Sequence, residues 1–147
     1  MTDEKLHSIL SGIELSECTP IIDNHVYYIE KLISDEVSCS GGGTRIKQEL
    51  LEFLIIANNG IKKGIILRFG HDDLHWYVFR KWRQKHVLSN ALRTGVIHKV
   101  WPENKTVTCC YNWDDDREKK YNMTKHLATI AGLSMKDEPT ALITFEE

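Results

Sequence analysis

The chain has 147 residues and a net charge of -2, with 41% hydrophobic and 27% charged residues. That length suits one ordinary domain, and the balance of apolar and charged residues excludes a disordered chain and predicts a real hydrophobic core. No apolar run reaches the roughly 18 residues of a membrane span. The acidic start MTDEKLHSILSG also lacks the apolar stretch of a secretory signal, so the expectation is a cytoplasmic protein with no membrane partner.

Leu6, Ile9, Leu10 and Ile13 recur at helical spacing, and Gly12 lies where such a helix would stop. Asp23 or Asn24 stands before a second segment with Val26, Ile29 and Ile33, readable as a helix or, from HVYYI, as a strand. Ser40 to Gly43 is a flexible break. Thr44 then has the chemistry of a helix cap, and Ile46, Leu50, Leu51, Phe53, Leu54 and Ile55 supply an apolar face for a helix ended by Asn58-Asn59-Gly60.

From Gly64 the pattern changes. Gly64 to Phe69 reads as a strand, Gly70 to Asp73 as a turn, and His75 to Trp82 as a second, antiparallel strand, with a helix over those residues as the alternative. Val87, Leu88, Ala91 and Leu92 fit a short helix closed by Gly95. Val96 to Trp101 and Thr106 to Trp113, joined through Pro102, read as a β-hairpin. Asp114 to Asp116 suit the first turn of a helix lined by Met123, Leu127, Ile130 and Ala131 and stopped by Gly132, and Ala141 to Phe145 reads as a last strand. The sum predicts a single α+β domain over residues 1–147, with a mainly antiparallel sheet of about four or five strands and helices packed on one face.

The most informative stretch is Leu74 to Pro102. It holds Arg80, Lys81, Arg83, Lys85, Arg93 and Lys99 with no Asp or Glu, and interleaves Trp76, Tyr77, Phe79, Trp82 and Trp101. Segregated cations beside flat aromatic faces are what a polyanion-binding surface needs, the charge for phosphates and the rings for bases. A solvated strand and helix explain the same residues without any ligand. The expected nucleic-acid contacts are Arg80, Lys81, Trp82, Arg83, Lys85, Arg93 and Lys99, with Trp82 as the stacking face. If His75 to Trp82 is all strand, Arg80 and Trp82 share a face with Trp76 and Val78.

Weaker patterns accompany it. Gly42, Gly43, Thr44 and Arg45 set glycines before the predicted helix start, where backbone N–H groups can cradle a phosphate. His71, Asp72, Asp73 and His75 cluster closely enough to suggest a divalent metal, and Glu103 with Lys105 suggests a nuclease pair, but turn chemistry accounts for the same residues. Cys18, Cys39, Cys109 and Cys110 form no C-x-x-C pair, so free thiols without metal or cofactor are expected.

The order of a helix near Val87 to Thr94 and a hairpin over Val96 to Trp113 resembles the second half of a winged-helix domain. That resemblance implies a helix in the DNA groove and a wing beside it. Leu127 to Ser134 is similar to the helix and turn of a helix-turn-helix motif, but Asp137, Glu138 and Pro139 depart from that pattern and would repel phosphate. No nucleophile signature is present. The sequence therefore points first to a small module contacting nucleic acid, or a complex of protein and nucleic acid, through residues 76–99. Next comes a non-catalytic protein-binding inhibitor of the immunity or phage counter-defence type, and last a metal-dependent nuclease.

Overall fold

The structure, a computed structural model, describes residues 2–38, 41–69, 73–108 and 117–136. Its centre is a five-stranded antiparallel meander in sequence order: β1 (Thr19–Ile22), β2 (Val26–Ser38), β3 (Thr44–Asn58), β4 (Ile61–Phe69) and β5 (Asp73–Val78). A parallel pair, β6 (Thr106–Thr108) and β7 (Ser134–Lys136), lies beside it. The helices are α1 (Asp3–Ser11), α2 (Val87–Arg93), α3 (Val96–Val100) and α4 (Arg117–Ala131). The α+β class with a mainly antiparallel sheet is thus observed.

The helices occupy both faces of the sheet. α2, α3 and α4 pack on the side bearing Val26, Leu54, Ile56 and Ile66, with Trp101 buried among them. α1 covers the other side, where Leu6 and Leu10 meet Phe53, Ile55, Ile65 and Leu67. This division follows from β3. Phe53 to Ala57 are all fully buried, with alternate side chains serving opposite faces. Each of the four large ones, Phe53 to Ile56, contributes roughly 1.5–3 kcal/mol by leaving water.

That run explains why the helix expected from Thr44 is a strand. An apolar stretch buried on both faces has neither the period of a helix nor the alternation of a half-exposed strand, so periodicity alone misleads. Asn59-Gly60 is not a helix end but a two-residue hairpin turn. Asn58 pairs with Ile61, and Asn59 and Gly60 take φ of 51° and 78°. Both values match the turn whose twist suits antiparallel strands.

The segment after Gly95 also differs from expectation. Val96–Val100 is a helical turn that buries Val96 and Ile97, so no hairpin joins Val96 to Thr106. Thr106–Thr108 instead pairs with Ser134–Lys136. The wing, and with it the winged-helix resemblance, loses its strands, while residues 109–113 lie outside the described set. On α4 the buried side chains are Leu127, Ala128 and Ala131, and Met123 is exposed. Asp114 to Asp116 and Ala141 to Phe145 lie outside the described residues. Gly95 and Gly132, at φ of 74° and 75°, end their helices as the sequence suggests. No helix of the described residues is long and apolar enough to cross a membrane.

Candidate nucleic-acid interface

β5 ends at Val78, and Arg80–Trp82 form a short 3-10 helix, so the alternation expected through Trp82 stops four residues early. Asp3 fixes the change of direction. Its carboxylate accepts the Tyr77 hydroxyl at 2.6 Å and the Arg80 backbone N–H at 3.2 Å. The hydrogen bond from Tyr77 holds the Asp3 carboxyl below the ordinary carboxylate range against the opposing effect of burial, and the charges of Arg83 and Arg80 act the same way. Arg83 folds back, donating from Nε to the Val78 carbonyl at 2.9 Å, with its guanidinium 4.9 Å from the Tyr77 ring centre.

The fold then does what the local sequence cannot. Lys63, from β4, lies with its ammonium 4.2 Å from the centre of the Trp82 ring. The ammoniums of Lys81 and Lys85 approach the same ring at 5.2 and 5.6 Å. Next to Lys63, Gly64 lets β5 lie close, because a Cβ there would come within 2.7 Å of the Tyr77 carbonyl. With β5 so close, the Phe79 N–H reaches the Lys63 carbonyl at 3.1 Å. Gln84 and His86, on either side of Lys85, both hold left-handed conformations, at φ of 62° and 60°. Side chains other than glycine adopt these at a cost of about 1–2 kcal/mol each.

Three ammoniums on one indole gain cation–π attraction but repel one another. Among the described residues, no carboxylate forms an ion pair with Lys63, Lys81 or Lys85. The Trp82 Nε1 is buried, and no acceptor for it exists among the described residues.

The sequence-derived site thus divides. Lys81, Trp82 and Lys85 come together, and Lys63 joins them. Arg80 is exposed on the same turn, and Arg83 is committed to Tyr77 and Val78. Arg93 is exposed at the end of α2, 3.5 Å from the Asn90 side chain. Lys99 lines a cleft with Pro20, Ile21, Tyr28, Glu52 and Val100, none of them a cation. No contact among the described residues ties Arg93 or Lys99 to the Trp82 cluster. The glycines before Thr44 lead into a strand, so the helix N-terminus that motivated phosphate binding at Gly42, Gly43, Thr44 and Arg45 does not exist.

A second charged group escaped sequence reasoning. Arg68 donates to Glu52 Oε2 and Asn104 Oδ1, at 2.8 and 2.9 Å, and pairs with Glu103. Glu52 Oε1 accepts the Tyr28 hydroxyl at 2.7 Å and the Trp101 indole N–H at 3.3 Å. Partial burial opposes ionisation of Glu52, but hydrogen bonds from Tyr28, Arg68 and Trp101 with the Arg68 charge leave its carboxyl below the ordinary range. Burial, and then the bond to Glu52, push Tyr28 up to about 12.

His71 and Asp72 lie outside the described residues, and of Asp73 only the backbone is described. No group of three metal-ligating side chains occurs among the described residues. Of the cysteines, Cys18 is described; it is a free, buried thiol whose titration burial pushes up. Comparison with protein families, curated proteins and solved structures finds no match to this chain.

Proposed function

We propose that the chain is a non-catalytic binding module that contacts single-stranded nucleic acid through Lys63, Lys81, Trp82 and Lys85. One observation carries the reading. Three ammoniums from two separate segments converge on one indole, with no carboxylate pairing them among the described residues. Such a group offers charge to the phosphates and a ring to an unpaired base. A duplex buries its base faces, so the indole favours a single strand. The Asp3 bond to the Arg80 N–H and the left-handed pair Gln84 and His86 set the course of the turn that carries Lys81, Trp82 and Lys85.

The test is binding of labelled single-stranded DNA and RNA at low and moderate salt, with Lys81→Glu/Lys85→Glu as the comparison. Both lysines are exposed, so the variant is expected to fold as the parent does and to lose affinity at low salt. Unchanged binding by the folded variant would reduce the cluster to a solvated face. No binding by the parent at low salt would move the protein-binding inhibitor to first place.

A further inference from the structure

The hairpin of β2 and β3 is longer than the sheet that carries it. The two strands pair from Val26–Ile56 out to Ser38–Thr44. β1 covers β2 only at Val26 to Tyr28, and β4 covers β3 only at Glu52 to Asn58. Thr44 to Leu51 therefore presents an outer edge that no strand of the described residues pairs. Long uncovered edges are ready templates for another strand.

This edge also carries exposed apolar side chains on one face. Leu50 and Ile46 are 60% and 67% exposed, and Leu32, paired with Leu50 across the ribbon, is 52% exposed. More than half of each of these three side chains stays in water, so the fold of this chain buries little of them.

We propose that this edge of β3 pairs antiparallel with the same edge of a second copy, about a two-fold axis at Gln48. The sequence of the strand selects that register. Centred on Gln48, Ile46 stands opposite Leu50 of the other copy, and Lys47 stands opposite Glu49, each twice by symmetry. A centre at Lys47 sets lysine against lysine and Ile46 against Gln48. A centre at Glu49 sets glutamate against glutamate, and a centre at Ile46 sets Arg45 against Lys47. Like charges directly opposite are destabilising, and apolar pairs directly opposite are favourable. The pairing from Arg45 to Leu51 fills the edge that β4 leaves open. It joins two ribbons into four strands, with Leu32, Leu50 and Ile46 of both copies on one face. This inference stands apart from the nucleic-acid reading, which uses the opposite end of β4.

The experiment is sedimentation velocity of the intact chain from low to high micromolar concentration, with cysteine cross-linking to read the register. At the two-fold centre, facing Cα atoms lie about 4.5–5.5 Å apart, within disulfide reach. Gln48→Cys is expected to cross-link into dimers on mild oxidation. Thr44→Cys, displaced from the axis, is expected to stay at the level of the unsubstituted chain, which carries its own cysteines. Ile46→Lys, an exposed substitution, is expected to abolish the dimer and leave the circular dichroism spectrum unchanged. A chain that stays monomeric throughout overturns the proposal. So does cross-linking of Thr44→Cys as strong as that of Gln48→Cys, or a dimer indifferent to Ile46→Lys.

Discussion

Two groups of charge in this molecule are built to opposite ends. Around Glu52 and Arg68, both Glu52 carboxylate oxygens have a donor, and the guanidinium spreads over Glu52, Glu103 and Asn104. Around Trp82, three ammoniums share a ring and no carboxylate pairs with them among the described residues. The first group sits against Trp101 at the foot of the helical layer and ties β2, β3, β4 and the segment after α3 together. The second sits on an exposed turn and ties little together. A satisfied network stabilises a fold, whereas concentrated like charge costs a little stability and attracts a counter-charge. Even the adjacent lysines of β4 divide this way. Lys62 donates to the carbonyls of Leu10 and Ile13 at the end of α1, and Lys63 lies over Trp82.

The comparison breaks most readily at Glu52. Glu52→Ala leaves Arg68, the Tyr28 hydroxyl and the Trp101 N–H short of an acceptor, and is expected to cost about 3 kcal/mol in urea unfolding. Nucleic-acid affinity per folded molecule is expected to stay the same. A loss of affinity at full folding would show that the two groups are one site.

At the other group the expected loss is chiefly of binding, with affinity measured per folded molecule. Trp82→Ala removes a stacking face worth about 1–3 kcal/mol per base, a loss of roughly fivefold to 150-fold in affinity for a single strand. Titration of the labelled strand measures it, and duplex of the same sequence is expected to change less.

The smallest effect concerns acid. Because the folded Glu52 carboxyl titrates below its unfolded value near 4.3, its contribution is fully present above that pH. It fades as pH falls through the lower, folded value. Glu52→Gln is expected to be less stable than the parent at neutral pH, with the gap narrowing below about pH 4. Urea midpoints across pH 3–7 measure it, and a constant gap would contradict the assignment.

What could be read from the sequence follows the range of the physics involved. Leu6 and Leu10 with Gly12, the strand ending at Phe69, and the helix from Val87 closed by Gly95 are local patterns, and each was legible. Phe53 to Ala57 was not, because a strand buried on both faces by α1 and α2–α4 has lost the alternation that identifies it. Asn59-Gly60 was present as a signal but serves helix ends and hairpins alike, and only the neighbouring strand decides between them. Lys81, Trp82 and Lys85 were visible as one basic and aromatic segment. Lys63 was not, since its place depends on the register of β4 against β5 and on Gly64. The Glu52–Arg68 network depends likewise on the pairing of those two residues across β3 and β4.

Lys63 therefore gives the most direct test of the central claim, because only the fold, and no feature of the basic segment, puts it beside Trp82. The measurement is the salt dependence of single-strand binding by the parent and by Lys63→Glu. The account predicts weaker binding at low salt for the variant and a salt slope shallower by about 0.7, one phosphate contact on a single strand. Equal affinity and equal slope in a folded Lys63→Glu protein would contradict it.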